Sequence, residues 1–206
     1  MPPPSNEPAA LKGPAPGHVG LLLVDVVNPL DFPGADAIGE AALRAGEAIL
    51  ALRRRADALG APVIYVNDNY GHWGSEKAQI VERCRAASPR GGKLAAMLEP
   101  RPGDYFVIKP QVSGFYATNL PVLLPKLGVS RLVLTGIAAD ICILFTAADA
   151  HMRDYELWIP RDAVAAESDQ RADWALEIAR KSLGAETADT GTLDLARWIG
   201  AADRRA

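Results

Sequence analysis

Three short runs in this 206-residue chain each deliver one chemically distinct side chain. Leu-Leu-Leu-Val-Asp stops at Asp25, Tyr-Phe-Val-Ile-Lys stops at Lys109, and Leu-Val-Leu-Thr-Gly-Ile-Ala-Ala-Asp-Ile-Cys ends at Cys142. The first two are apolar runs cut off by a charge. The third passes through a glycine and small residues into a helical pattern. In an open parallel α/β sheet, ligands bind at the carboxyl ends of the strands. A carboxylate, an ammonium and a thiol brought to that edge would make a nucleophilic hydrolase site.

Each of the three also has a plainer reading. A free cysteine often serves only as a small buried hydrophobe. At a helix N-terminus, however, a thiol sits in a field that favours thiolate, and the free backbone N–H groups there can hold an oxyanion. Asp25 could be a turn former, yet Pro29 and Pro33 prevent a helix from starting behind it. A carboxylate aimed at the strand edge could instead take the thiol proton and return it to a leaving group. Lysine is usually a solvated surface charge. Lys109 follows four apolar or aromatic residues, so its ammonium is expected to be buried and paired. Asp25 and Cys142 are its natural partners, and the pairing predicts a thiol pKa below the free value of about 8.5.

The elements that must position these residues alternate in type. Strand patterns occupy Val19–Asp25, Pro62–Asn67, Tyr105–Lys109, Arg131–Thr135, Glu156–Ile159 and Glu186–Ala188. Helical patterns fill Ala35–Leu59, Glu76–Ala86, Leu120–Leu127, Ile141–Arg153, Asp169–Leu183 and Leu193–Ile199, with Gly60, Gly128 and Gly184 as C-terminal stops. The rhythm predicts a single α/β domain of three layers, α/β/α, around a roughly six-stranded, parallel, doubly wound sheet. Residues 1–18 read as a flexible Pro-rich tail and 19–206 as the folded domain. Pro89–Gly103 reads as the longest irregular stretch after the tail, a functional loop or an interface.

Composition removes several function classes. A formal net charge of -3 offers no field for nucleic acid or an anionic membrane. No apolar stretch reaches the length of a membrane span, and the N-terminus lacks the pattern of a signal peptide. The two cysteines, Cys84 and Cys142, form no CxxC pair, so free thiols in the cytoplasm are expected.

Four segments carry a family resemblance: LLLVDVVNPLDF, VIYVND, YFVIKPQVSGFYATNL and LVLTGIAADICILFTAADAHMRDYELWIPRDAVAAES. From about Val19 to Ala188 the sequence resembles the isochorismatase-like cysteine hydrolases, which include nicotinamidases, N-carbamoylsarcosine amidases and ureidoacrylate amidohydrolases. The resemblance implies a catalytic triad of Asp25, Lys109 and Cys142. It also implies a non-proline cis peptide at Ile137–Ala138, and an oxyanion hole built from the N–H groups of Ala138 and Cys142. Nicotinamidases hold a metal through an aspartate and two nearby histidines. Here Asp68 and His72 match two of those positions and the third ligand, a second imidazole, is missing, so neither a metal nor another cofactor is expected. The isochorismatase branch lacks the cysteine, so Cys142 argues for acyl transfer.

Candidate substrate contacts come from the same sheet edge. Phe32, Trp73, Tyr116 and Phe145 are aromatics near the triad in sequence, and Asn28 and Asn69 could fix an amide or acid group. Core packing for the aromatics and turn formation for the asparagines are the alternatives. Asp162 reads as structural. The resulting expectation is a cysteine hydrolase that cleaves an amide, ureido or carbamoyl C–N bond of a small molecule through a thioester. The alternatives are a non-amide hydrolase on the same fold and a non-catalytic protein that has kept it. A homo-oligomer, dimer or tetramer, is expected, with the Pro89–Gly103 loop at the interface.

Overall fold

A computed structural model describes residues 18–200. The first strand, β1 (His18–Val24), is buried along nearly its whole length, as an apolar run without alternation requires. Its side chains divide between two cores. Leu21 and Leu23 enter one cluster, and Leu22 and Val24 enter the other.

Helices cover both faces. The 25-residue α1 (Ala35–Leu59) lays Ile38, Ala42, Ala45, Ile49, Leu52 and Ala56 on the first core, a helical stripe of apolar residues. It is joined there by α2 (Lys77–Ala87), α3 (Pro89–Met97) and α7 (Leu195–Gly200). The opposite face carries α4 (Leu120–Lys126), α5 (Leu144–His151) and α6 (Asp169–Ser182).

The remaining strands are β2 (Val63–Asp68), β3 (Tyr105–Lys109), β4 (Val129–Ile137), β5 (Glu156–Trp158) and β6 (Val164–Ala165). They line up in the order β3-β2-β1-β4-β5, with β6 paired to the end of β4, and every pairing is parallel. The chain winds outward from β1 to β3, then returns to β4 beside β1. The β1–β4 junction is therefore the topological switch point, where a crevice opens at the carboxyl edge.

The predicted three-layer architecture is present, with three local differences. Pro89–Gly103 is not irregular, because its first nine residues form α3. Ser88 caps that helix by accepting from Gly91 N, and Pro89 occupies the first turn, where its missing N–H is harmless. Gly91 is required by tertiary packing, since a Cβ there would lie 2.2 Å from Pro29 O. Leu94 and Leu98 are buried in the first core, so they are not free for the interface the loop reading assigned them. Second, Glu186–Ala188 is not a strand; one bridge, Trp158 to Glu186, is all that forms, and the sixth strand is β6. Third, His18 belongs to β1 and not to the tail, with its Nδ1 3.1 Å from Leu127 O; the rest of the predicted tail lies outside the described residues.

Candidate active site

Asp25 is the first residue beyond β1. The register pairs Val24 with Val66 of β2 and with Gly136 of β4, so Asp25 emerges between two neighbouring strand ends. It does so with a left-handed backbone, φ 50°, a conformation uncommon for residues with a side chain. Its N–H donates to Val66 O at 3.0 Å, and its Oδ1 accepts from Asp68 N at 2.7 Å. Gly136 allows the close approach on the other side, since a Cβ there would meet Val24 O at 2.0 Å.

Lys109 is the last residue of β3, paired in register with Asp68. It is 0% exposed. Its Nζ lies 2.9 Å from Asp25 Oδ2, 3.3 Å from Asp68 Oδ2, 3.1 Å from Gln111 O and 3.4 Å from Cys142 Sγ. Burial opposes its charge, but the carboxylates of Asp25 and Asp68, with the Cys142 sulfur beside them, outweigh that and hold the ammonium above its ordinary pKa.

Cys142 lies in a π-helical turn, Ala139–Ile143, that leads from β4 into α5. Both Ile141 N and Ile143 N donate to Ala138 O, at 3.1 Å each, and the Ile137–Ala138 peptide is cis. Such π turns widen the helix locally and recur at functional sites.

The protonation state differs from the sequence expectation of a low thiol pKa. The Cys142 thiol is pushed up to about 12, first by burial and then by the Asp25 charge, with Lys109 pulling the other way. Burial also raises the Asp25 carboxyl, which Lys109, the Cys142 thiol and Asp68 N–H partly offset. Two carboxylates already share the one ammonium, so a third negative charge on sulfur is disfavoured unless Asp25 takes the proton. Burial and the crowding of negative charge both favour a neutral thiol beside Asp25.

The cavity in front of Cys142 is about 290 Å³, the size for a small molecule. Ile38, Ile137, Ile141 and Phe32 supply apolar wall, and Asp25, Asn28, Asp68, Tyr70 and Ala138 line the cavity with Cys142. Two larger surface depressions, of about 480 and 540 Å³, contain no cysteine and lie away from these residues. Of the predicted substrate contacts, Asn28 and Phe32 line the cavity and four do not. Asn69 turns its Oδ1 onto Gly71 N to close a tight turn. Trp73 projects into solvent, 77% exposed, and Tyr116 and Phe145 are more than half exposed on outer surfaces. Nearness in sequence did not set their direction.

The lining residues not predicted are Ile38, Tyr70, Ile137, Ile141, Asp140, Glu167 and Arg171. Tyr70, with φ 50°, donates its hydroxyl to Val27 O at 2.7 Å. Asn67 grips the same residue through both its N–H and its C=O. Its position at the end of β2, beside Asp68, was the available signal.

The residues do not fit a metal. Asp68 spends Oδ1 on Tyr70 N at 2.7 Å and Oδ2 on Lys109, and His72 is exposed. Among the described residues no three His, Cys, Asp or Glu side chains gather as a ligand set.

Residues 19–192 match the family model described as "Isochorismatase domain". The uncharacterized isochorismatase family protein YaaI of Bacillus subtilis is 38% identical over 81% of this chain and 91% of its own length. A ureidoacrylate amidohydrolase, RutB of Methylobacterium radiotolerans, is 32% identical over 72% of this chain and 66% of its own. Among solved structures, N-carbamoylsarcosine amidase from Thermoplasma acidophilum superposes with a TM-score of 0.67 at 29% identity, covering 86% of this chain and 99% of that one. With its parallel sheet and the pocket at the carboxyl edge, the chain belongs to the isochorismatase family of hydrolases.

Proposed function

We propose that this hydrolase cleaves the C–N bond of a small amide, ureide or carbamoyl compound through a covalent thioester on Cys142. The observation that carries this reading is that Lys109 Nζ touches Asp25 and Cys142 at once, 2.9 and 3.4 Å away, and that both of those residues line the cavity.

Cys142 Sγ attacks the substrate carbonyl carbon while its proton passes to Asp25. Lys109 remains charged and holds both groups in place. The backbone N–H groups of Ala138 and Cys142 stabilise the oxyanion. The C–N bond then breaks, and Asp25 gives its proton to the leaving nitrogen. Water attacks the thioester, Asp25 takes a proton from that water, and the C–S bond breaks. The departing sulfur recovers the proton from Asp25, which restores the resting pair. A neutral resting thiol suits this cycle, because proton transfer and attack are concerted with substrate in place.

The reading includes a cytoplasmic setting, supported by two free cysteines, and a homo-oligomer. Ile141, Phe145, Trp174 and Ile178 are large exposed hydrophobics on the π turn, α5 and α6, which suits a contact between copies. Light scattering at micromolar concentration should give at least twice the 21.9 kDa chain mass. A monomer there would remove the oligomer from the reading. Among the described residues no helix is long and apolar enough to cross a membrane.

The direct test is ammonia release from a panel of small amides, ureas and carbamoyl compounds, with mass spectrometry of the quenched enzyme. The expected result is turnover and an acyl mass increment on the peptide containing Cys142. Turnover without any adduct, and without loss in a Cys142→Ala variant, would overturn the covalent route.

A further inference from the structure

The mouth of the catalytic cavity carries three charged side chains that the chemistry above does not use. Arg171, in the first turn of α6, places Nε 2.6 Å from Asp140 Oδ2 and Nη1 3.3 Å from Glu167 Oε2. All three line the cavity. A guanidinium has two edges able to grip a carboxylate with paired hydrogen bonds, one built from Nε and Nη2 and the other from Nη1 and Nη2. Here each edge has one corner already taken by a protein carboxylate.

The second cation is no more available. Lys109 is fully buried and serves Asp25, Asp68, Gln111 O and Cys142. Around the cavity, then, four carboxylates (Asp25, Asp68, Asp140 and Glu167) stand against two committed cations. A carboxylate on the substrate would leave water for a site without a free positive partner, and it would face like charges. The remaining wall is apolar: Phe32, Ile38, Ile137 and Ile141. Asn28 accepts from Leu30 N through Oδ1, which leaves its amide NH2 group for a neutral carbonyl.

We propose that the Asp140–Arg171–Glu167 lip makes this site selective for uncharged amides with an apolar body, and against substrates that carry a carboxylate. This rests on the amidohydrolase reading and narrows it. It also sets the chain apart from the ureidoacrylate and carbamoylsarcosine enzymes it resembles, whose named substrates are acids.

The test uses matched pairs that share a scissile bond: N-carbamoylsarcosine with its methyl ester, and 4-carbamoylbenzoate with its methyl ester. Ammonia release by the full-length enzyme should favour the ester by about tenfold or more in kcat/KM. Calorimetric titration of the same four compounds into Cys142→Ala reads the preference without turnover. A failed hydrolase reading and a failed selectivity are thereby separated. The esters should bind about tenfold or more tighter. Equal or tighter binding of the acids, or no measurable binding of either ester, would overturn the proposal. Glu167→Gln then frees one edge of Arg171, and the acid should gain several-fold relative to the ester. An unchanged ratio in that variant would show that the lip does not read substrate charge.

Discussion

Two buried charge networks sit at opposite ends of the same sheet, and they use similar parts for different ends. At the amino end, Arg53 of α1 grips Asp104, just before β3, at 2.6 and 2.8 Å, and also donates to Tyr65 Oη of β2. At the carboxyl end, Lys109 grips Asp25, Asp68 and Cys142. Each network therefore holds a buried cation, a carboxylate and a weak acid. The fate of the weak acid's proton separates them. Tyr65 Oη donates to Leu98 O at 2.9 Å, and its pKa is raised, so its proton is held in place. The Cys142 proton instead faces a carboxylate whose own affinity for protons is raised. One network is a fixed clamp, and the other is poised to pass a proton to a neighbour in a cavity.

The sharpest way to break this comparison is Cys142→Ala. Loss of the nucleophile should lower kcat by at least about 10⁴-fold. Circular dichroism and the melting temperature should stay close to the parent. Activity within a few-fold of the parent would mean that the thiol is structural, like the Tyr65 hydroxyl.

Next in size is the pair Asp25→Asn and Asp104→Ala, assayed together. Asp25→Asn keeps the shape but removes the proton acceptor, and kcat should fall by about 10²–10⁴-fold. Asp104→Ala leaves the Arg53 charge buried and unpaired, which should cost about 3–5 kcal/mol in denaturant unfolding. Activity per folded molecule in that variant should stay within a few-fold of the parent. If Asp104→Ala instead removed activity from folded protein, the two ends would not be separable in the way described.

Much of the carboxyl end was legible in the sequence, because its parts are strand ends. A run buried on both faces has nowhere to put a charge until it leaves the sheet, so Asp25 and Lys109 mark the edge by their position alone. Less local features escaped. Helix α3 depends on Gly91 sitting against Pro29, more than sixty residues earlier, while Pro-Arg-Gly-Gly looks locally like a turn. Strand β6 is two residues long and has no periodicity to read. Glu167 and Arg171 are four residues apart, but Asp140 joins them only because α6 packs beside the π turn, and no spacing announces that. The thiol pKa is hard to read from sequence for a related reason. Lys109 and the helix entry were visible as influences, but the burial of Cys142 and the opposing charge of Asp25 are properties of the assembled site.

A pH profile sharpens the same contrast. The proposed cycle needs Asp25 ionised and Cys142 protonated. The Asp25 carboxyl is raised by burial, so activity should rise with pH through a midpoint above the ordinary aspartate value of about 3.9. The Cys142 thiol is raised as well, to about 12, so ionisation of the free thiol should not cut activity near the usual cysteine range. Iodoacetamide labelling of the substrate-free enzyme should likewise show no thiolate plateau at neutral pH. A plateau there would restore the low-pKa thiol and make Lys109 its dominant influence.

The smallest expected effect concerns how Asp25 is held. Two residues beyond it, Val27 O accepts from Tyr70 Oη at 2.7 Å and from Asn67 Nδ2 at 2.9 Å. Asn67 Oδ1 also accepts from Val27 N at 3.1 Å. This brace fixes the loop that leaves β1, and so the left-handed turn at Asp25. Tyr70→Phe removes the bond to Val27 O and the longer one, 3.3 Å, that Tyr70 Oη accepts from Asn67 Nδ2, and it keeps the ring in the cavity wall. The stability loss should be about 0.5–1.5 kcal/mol for each hydrogen bond lost. Because Asn67 still holds both sides of Val27, kcat should fall only several-fold, and KM for an apolar substrate should change little. Asn67→Ala, which removes both of its bonds to Val27, should lower kcat further than Tyr70→Phe does. The order matters more than either size. If Tyr70→Phe were the more damaging change, the hydroxyl would be acting on the substrate directly and not through the brace on Asp25.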